Sequence, residues 1–231
     1  MGSALKKVLD LTDTNEKFRQ LCLYYGDLLA LEGKKVKPFR SADLPVFSTL
    51  TVEQKRNAID FIGTALEIFE ETRAEGFKLG DSPKLMWRAI RKLGWTPQSD
   101  IFDRIFDGDV LTIYSARQIQ VFQNLNFFDW VTLTLEDLYA APWHVYSRRV
   151  ATAAELLYQN GVEIFTGVRT ATYDPKVPEH YCEELGTEGL SKFYIKVQWL
   201  SPLKQGGQVA GVLVVNRCRP WDGVPCTAPL L

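Results

Sequence analysis

The side chains with the most obvious potential for chemistry are two histidines, His144 and His180, and four cysteines, Cys22, Cys182, Cys218 and Cys226, in a sequence of 231 residues. No two cysteines form a C-x-x-C pair and only these two histidines exist to join them, so the spacing argues against structural zinc and for free thiols in a reducing compartment. Cys182 is followed by Glu183-Glu184, acids that raise a thiol's pKa and make it a poor nucleophile. His144, within Pro142-Trp143-His144-Val145, reads either as the base of a small enzyme or as a partly buried, hydrogen-bonded residue. His180, in a polar segment, is expected to face solvent. A calcium loop opening at Asp103 would place Asp107 and Gly108 correctly, but Ile105 and Tyr114 fall where oxygen ligands are needed. No serine stands in a nucleophile elbow, and no G-x-G-x-x-G or P-loop occurs. Nothing in the sequence sets an acid beside a base, and a non-catalytic protein is predicted.

With 27 basic and 28 acidic residues, the chain has no charge excess to draw it to phosphate backbones or anionic lipid, so direct nucleic-acid binding is not expected. No apolar run approaches the ~20 residues that span a bilayer. Lys6-Lys7 leads only into Val8-Leu9 before Asp10, unlike a signal peptide, and a cytoplasmic protein is expected. Met1-Gly2-Ser3 has the form of an expression scar, which would make the chain part of something longer.

The elements that must position these residues fall into two groups. Asp13 and Glu16 open a helix with Phe18, Leu21, Tyr25, Leu28 and Leu29 on one face, ending at Gly33. Thr51 and Gln54 open a second, through Ala58, Ile62, Ala65, Leu66 and Phe69 to Gly76. Ser82 and Pro83 supply cap and first position of a third, closed by Gly94. Residues 1–100 thus read as a helical region, either for dimerisation and docking or as a cap on the second half of the chain. Beyond Gly108 the pattern turns β-rich: Val110–Tyr114, then Gln118–Phe122. The stretch Ile119–Leu138 begins as a strand and breaks into two short helices, the second capped by Thr134 with Asp137 three positions on. A helix over Arg149–Gln159 is expected to end at Asn160-Gly161. Val162–Tyr173 is β-prone, Asp174–Leu190 a polar insert, and Lys192–Leu200 and Gln208–Asn216 are strands about a hairpin. Strand, strand, short helices, long helix, three strands predicts an α+β fold with a mainly antiparallel sheet.

Residues 106–219 resemble a PAS domain. Asn124, Phe127, Thr134 and Leu138 stand at that family's offsets, with Glu136-Asp137 before the leucine. Leu200-Ser201-Pro202-Leu203 and Gly207-Gln208-Val209-Ala210-Gly211-Val212 match its closing hairpin. Thr132 replaces the usual glycine between the short helices, and Asn216-Arg217-Cys218-Arg219 replaces the Asp-Ile-Thr motif that couples to an output helix. Residues 220–231 form a tail in which Pro220, Pro225 and Pro229 argue against a long helix.

The resemblance implies a five-stranded antiparallel sheet with flanking helices. It also implies a pocket lined by Phe122, Phe127, Phe128, Trp130, Leu138, Trp143, His144, Tyr146, Phe193, Ile195, Val197, Val212 and Val214, suited to a small apolar or planar ligand unless these residues only fill a core. A flavin photoreceptor would need an Asn-Cys-Arg motif where Ala141-Pro142-Trp143-His144 stands. A haem sensor would need a histidine on the long helix, which has none. The expected function is a signalling module, homodimeric through its helices or its sheet face, that binds a small molecule or a protein partner. The alternatives are the sensor half of a one-component transcriptional regulator and a small α+β enzyme using His144.

Overall fold

The computed structural model describes residues 3–186 and 189–231. Four helices come first: α1 (Ser3–Leu9), α2 (Thr14–Leu31), α3 (Val52–Ala74) and α4 (Ser82–Lys92). Their ends follow the local chemistry of the sequence. Asp13 accepts the Glu16 N–H, Thr51 and Gln54 form a reciprocal capping box, and Gly33, Gly76 and Gly94 follow α2, α3 and α4 with positive φ. One cap differs from expectation. Asp81, not Ser82, accepts the Lys84 N–H, which leaves the Ser82 hydroxyl to receive a hydrogen bond from Asn124.

The second half alternates strands with helices: β1 (Val110–Ser115), β2 (Gln120–Gln123), a 3-10 helix (Leu125–Asp129), α5 (Leu135–Ala140), β3 (Ser147–Arg149), α6 (Ala151–Phe165), β4 (His180–Gly186), β5 (Gly189–Gln205) and β6 (Gln208–Pro220). The six strands form one curled antiparallel sheet in the order β2-β1-β6-β5-β4-β3, making the protein α+β. Neither β3 nor β4 is among the five strands expected, and the expected strand over Val162–Tyr173 does not form. Three residues of Ser-Arg-Arg are too short and too polar to show a strand period, and only pairing with β4 holds them extended.

Other departures share one cause, tertiary packing overriding local pattern. Helix α6 runs past Asn160-Gly161 to Phe165, because the Asn160 amide donates back to the Leu156 carbonyl and accepts the Tyr173 hydroxyl. Gly167 supplies the left-handed stop instead. Val162 and Ile164, β-prone in sequence, therefore lie on the helix, where Ile164 buries against the sheet. The Asp174–Leu190 segment, expected to be a polar insert, contains β4, and two of its positions, Thr187 and Glu188, lie outside the described residues. Strands β5 and β6 extend through Ser201–Lys204 to a tight turn at Gly206-Gly207, both with positive φ.

Period-two register divides the sheet into two unlike faces. Leu111, Ile113, Leu213 and Val215 look toward the helical region and join Phe18, Tyr25, Ile62 and Phe69 in one continuous core. The apolar faces of α2 and α3, and this face of the sheet, are therefore buried within the chain itself. The opposite face carries Thr112, Tyr114, Val212, Val214, Asn216, Ile195 and Val197, continues through His180, Cys182 and Glu184 on β4, and ends at Ser147 and Arg149 on β3. Helix α6 crosses this second face.

Asn124, at the end of β2, fixes the start of the sheet. Fully buried, it accepts the Leu111 N–H at 3.0 Å and donates to the Ser82 hydroxyl at 2.8 Å and the Asp109 carbonyl at 2.9 Å. Asn124→Ala strands the Leu111 N–H in a dry site and is expected to cost about 3 kcal/mol, read as a lower urea midpoint at unchanged m-value.

Candidate functional site

Between α6 and the second sheet face lies a cavity of about 350 Å3. Its floor is Val197, Leu200, Val212 and Val214, its roof Leu157, Ile164 and Phe165, and exposed Ala116, Tyr158 and Val162 stand at its rim. Among the described residues, Arg149 is the only charged side chain in the lining. Tyr114, Trp143, Arg149 and Asn216 separate this cavity from an inner chamber of about 20 Å3, room for a single small group.

The inner chamber is polar and deeply buried. Arg149 is 8 % exposed, Asn216 6 % and Glu184 5 %, yet Arg149 Nε, Asn216 Oδ1 and Glu184 Oε2 have no hydrogen-bond partner among the described residues. Nor, among those residues, does any carboxylate lie within ion-pair distance of Arg149. The guanidinium instead faces the Trp143 ring at 5.1 Å and donates to His180 Nε2 at 3.3 Å. His180 Nδ1 lies 2.9 Å from the Pro178 carbonyl and must donate to it, which fixes the neutral tautomer with Nε2 as acceptor. Burial, reinforced by the Arg149 charge, lowers the His180 pKa to about 4. Burial also pushes Glu184 up to about 8, opposed by Arg149, so this carboxyl is mostly protonated at neutral pH. The neighbouring thiols are inert: burial raises Cys182 to about 11 and Cys218 to about 12.

A chain of buried hydrogen bonds leads away from the chamber. Gln120 donates to the Tyr146 hydroxyl at 3.2 Å, Gln123 donates to Gln120 at 3.1 Å, and the Tyr139 hydroxyl donates to Gln123 at 3.4 Å. The Tyr139 ring then packs on Tyr25 of α2, centroids 6.3 Å apart. Beside it, Glu136 accepts the Val46 and Phe47 N–H groups, both at 2.9 Å, tying α5 to the loop that follows α2.

The residues expected to line a pocket are divided among four places. Val197, Val212 and Val214 line the outer cavity, and Phe127, Trp130, Tyr146, Phe193 and Ile195 the inner chamber, with Trp143 between them. Phe122, Phe128 and Leu138 belong to the core shared with the helical region, where Phe122 meets Phe69 and Phe128 meets Tyr25. His144 is exposed, 3.4 Å from Gln118 Oε1 and beside Tyr158 at the cavity rim. His180, expected in solvent, is buried, because β4 turns its even positions inward. Arg149, Glu184 and Asn216 are the site residues the sequence did not reveal. The period-two spacing of His180, Cys182 and Glu184 was the available signal, but it reads as a polar outer face.

All four cysteines are free. Among the described residues, no three His, Cys, Asp or Glu side chains converge as a metal site would require, and no helix is long and apolar enough to cross a membrane. A second groove, of about 420 Å3 between α3 and the β1–β2 turn, is lined by none of the unpartnered buried polar atoms. No protein-family model matches the chain, and no curated protein matches it.

Proposed function

We propose that this protein is a PAS-like sensory module that retains a small, mainly apolar molecule between α6 and the sheet and passes the state of that cavity to its helical region. The observation that carries the reading is the cavity itself, walled by aliphatic side chains at a helix–sheet junction. The element order supports it, as do the places taken by the motif residues: Asn124 closes β2, Thr134 and Asp137 form the capping box of α5, and Leu138 is fully buried. The route to the helices is the buried chain from Tyr146 through Gln120 and Gln123 to Tyr139 and Tyr25. A ligand that favours one packing of α6 on the sheet biases that chain, in proportion to its differential affinity for the two packings.

Gly161 provides the test. It lies inside α6 with ordinary helical φ, lines the cavity, and a Cβ placed there meets none of the described atoms within 4 Å. Gly161→Ala is expected to stabilise the protein by about 0.5–1 kcal/mol through helix propensity. Gly161→Leu sets a bulky side chain on the stretch of α6 that lines the cavity without breaking the helix. Native mass spectrometry of the protein purified from its source should show a small-molecule adduct on the wild type that Gly161→Leu loses. A folded Gly161→Leu protein that carries the same adduct would place the ligand elsewhere.

A further inference from the structure

We propose that the cavity under α6 selects a monoanionic amphiphile, an apolar body ending in one carboxylate, with Arg149 receiving the carboxylate and Asn216 beside it. This rests on the ligand-retaining reading above and specifies what that ligand is.

Charge balance is the first argument. Arg149 is a permanent cation; among the described residues it is the only charged group lining an otherwise uncharged, mainly apolar cavity, and it has no carboxylate within ion-pair distance. A buried cation without a counter-ion is costly, and supplying the counter-ion removes that cost. Glu184, the nearest acid, does not serve, since burial keeps it largely protonated at neutral pH.

Hydrogen-bond geometry is the second. The guanidinium is already oriented by His180 and the Trp143 ring, and its Nε–H, shielded from solvent, has no acceptor among the described residues. A carboxylate lying against the guanidinium gains charge-assisted hydrogen bonds from a side chain already held in place. Asn216 lines both the cavity and the chamber, as Arg149 does, and only its amide N–H groups can donate to a carboxylate. Size and charge favour a carboxylate over a phosphate: the chamber next to Arg149 admits only one small group, and a single cation balances one negative charge, not two.

The test compares acid and alcohol of the same body by isothermal titration calorimetry: octanoate against octan-1-ol, and indole-3-acetate against indole-3-ethanol. On the wild-type chain at neutral pH the acid of at least one pair should bind about tenfold or more tighter than its alcohol. Arg149→Gln should bring that ratio to about one. Octyl phosphate binding more tightly than octanoate overturns the choice of carboxylate. Equal binding of acid and alcohol to the wild type overturns the anion preference and leaves the cavity reading standing. Failure of every probe to bind at millimolar concentration overturns both. The wild-type comparison decides the matter even if Arg149→Gln does not fold.

Discussion

Glu184→Gln is expected to stabilise the protein by about 4 kcal/mol more at about pH 8.5 than at about pH 5. The carboxyl sits on the inward face of β4 with its Oε2 unpartnered among the described residues, and burial raises its pKa from 4.5 to about 8. A carboxyl whose folded pKa is raised binds its proton more tightly in the native state. Its contribution is fully present below pH 4.5, and it is lost as the pH climbs through 8, where the native state must ionise a group the unfolded chain ionised long before. Glutamine has the same shape and no charge to ionise, so the variant escapes that loss. His180 titrates in the opposite sense: its folded pKa is depressed from 6.5 to about 4, so its contribution is present above 6.5 and is lost as the pH falls toward 4. It is common to both proteins and cancels in their difference. Urea denaturation of the pair across this range measures the effect. A stability difference that does not change with pH would mean that Glu184 ionises as an exposed carboxylate does.

Phe127→Ala should cost about 3 to 5 kcal/mol, the usual consequence of removing a buried ring from a packed site. Phe127 is buried, meets Phe128 edge-on at 5.4 Å and lines the inner chamber, while Phe128 in turn meets Tyr25 of α2 edge-on at 6.4 Å. The truncation therefore opens a void between the chamber and the helical region. Two measurements should move together, the urea midpoint downward and the adduct seen by native mass spectrometry toward loss. Phe127→Leu, which conserves more of the volume, should cost clearly less than the alanine variant. An unchanged melting temperature in Phe127→Ala would remove this ring from the core.

Each half of the molecule was legible in the sequence where the governing rule is local. The capping residues at Asp13, Thr51 and Thr134, the glycine stops at Gly33, Gly76 and Gly94, and the turn at Gly206-Gly207 depend on residues no more than a few positions apart. The switch from strand to short helices within Ile119–Leu138 was readable for the same reason, since Thr134 and Asp137 satisfy each other's backbone wherever the segment lies. The α+β class came from the order of such elements.

Local pattern thus dictates where elements begin and end and which residues are apolar enough to pack, whereas strand pairing across the fold selects the polar residues that turn inward. In His180–Glu184 period two is present, but the rule that apolar residues face inward assigns the wrong side, and Ser147-Arg148-Arg149 is too short to show a period at all. Pairing of β3 with β4, and of β4 with β5, sets the register that buries Arg149, His180 and Glu184 while Arg148 remains exposed. Likewise Asn160-Gly161 is a local stop signal, overridden because Asn160 finds its partners in Leu156 and Tyr173 and α6 buries Ile164 on the sheet. A hydrogen bond between near neighbours is written in the chain, whereas the cost of burying a charge depends on what surrounds it, and in this protein residues far apart in sequence supply those surroundings.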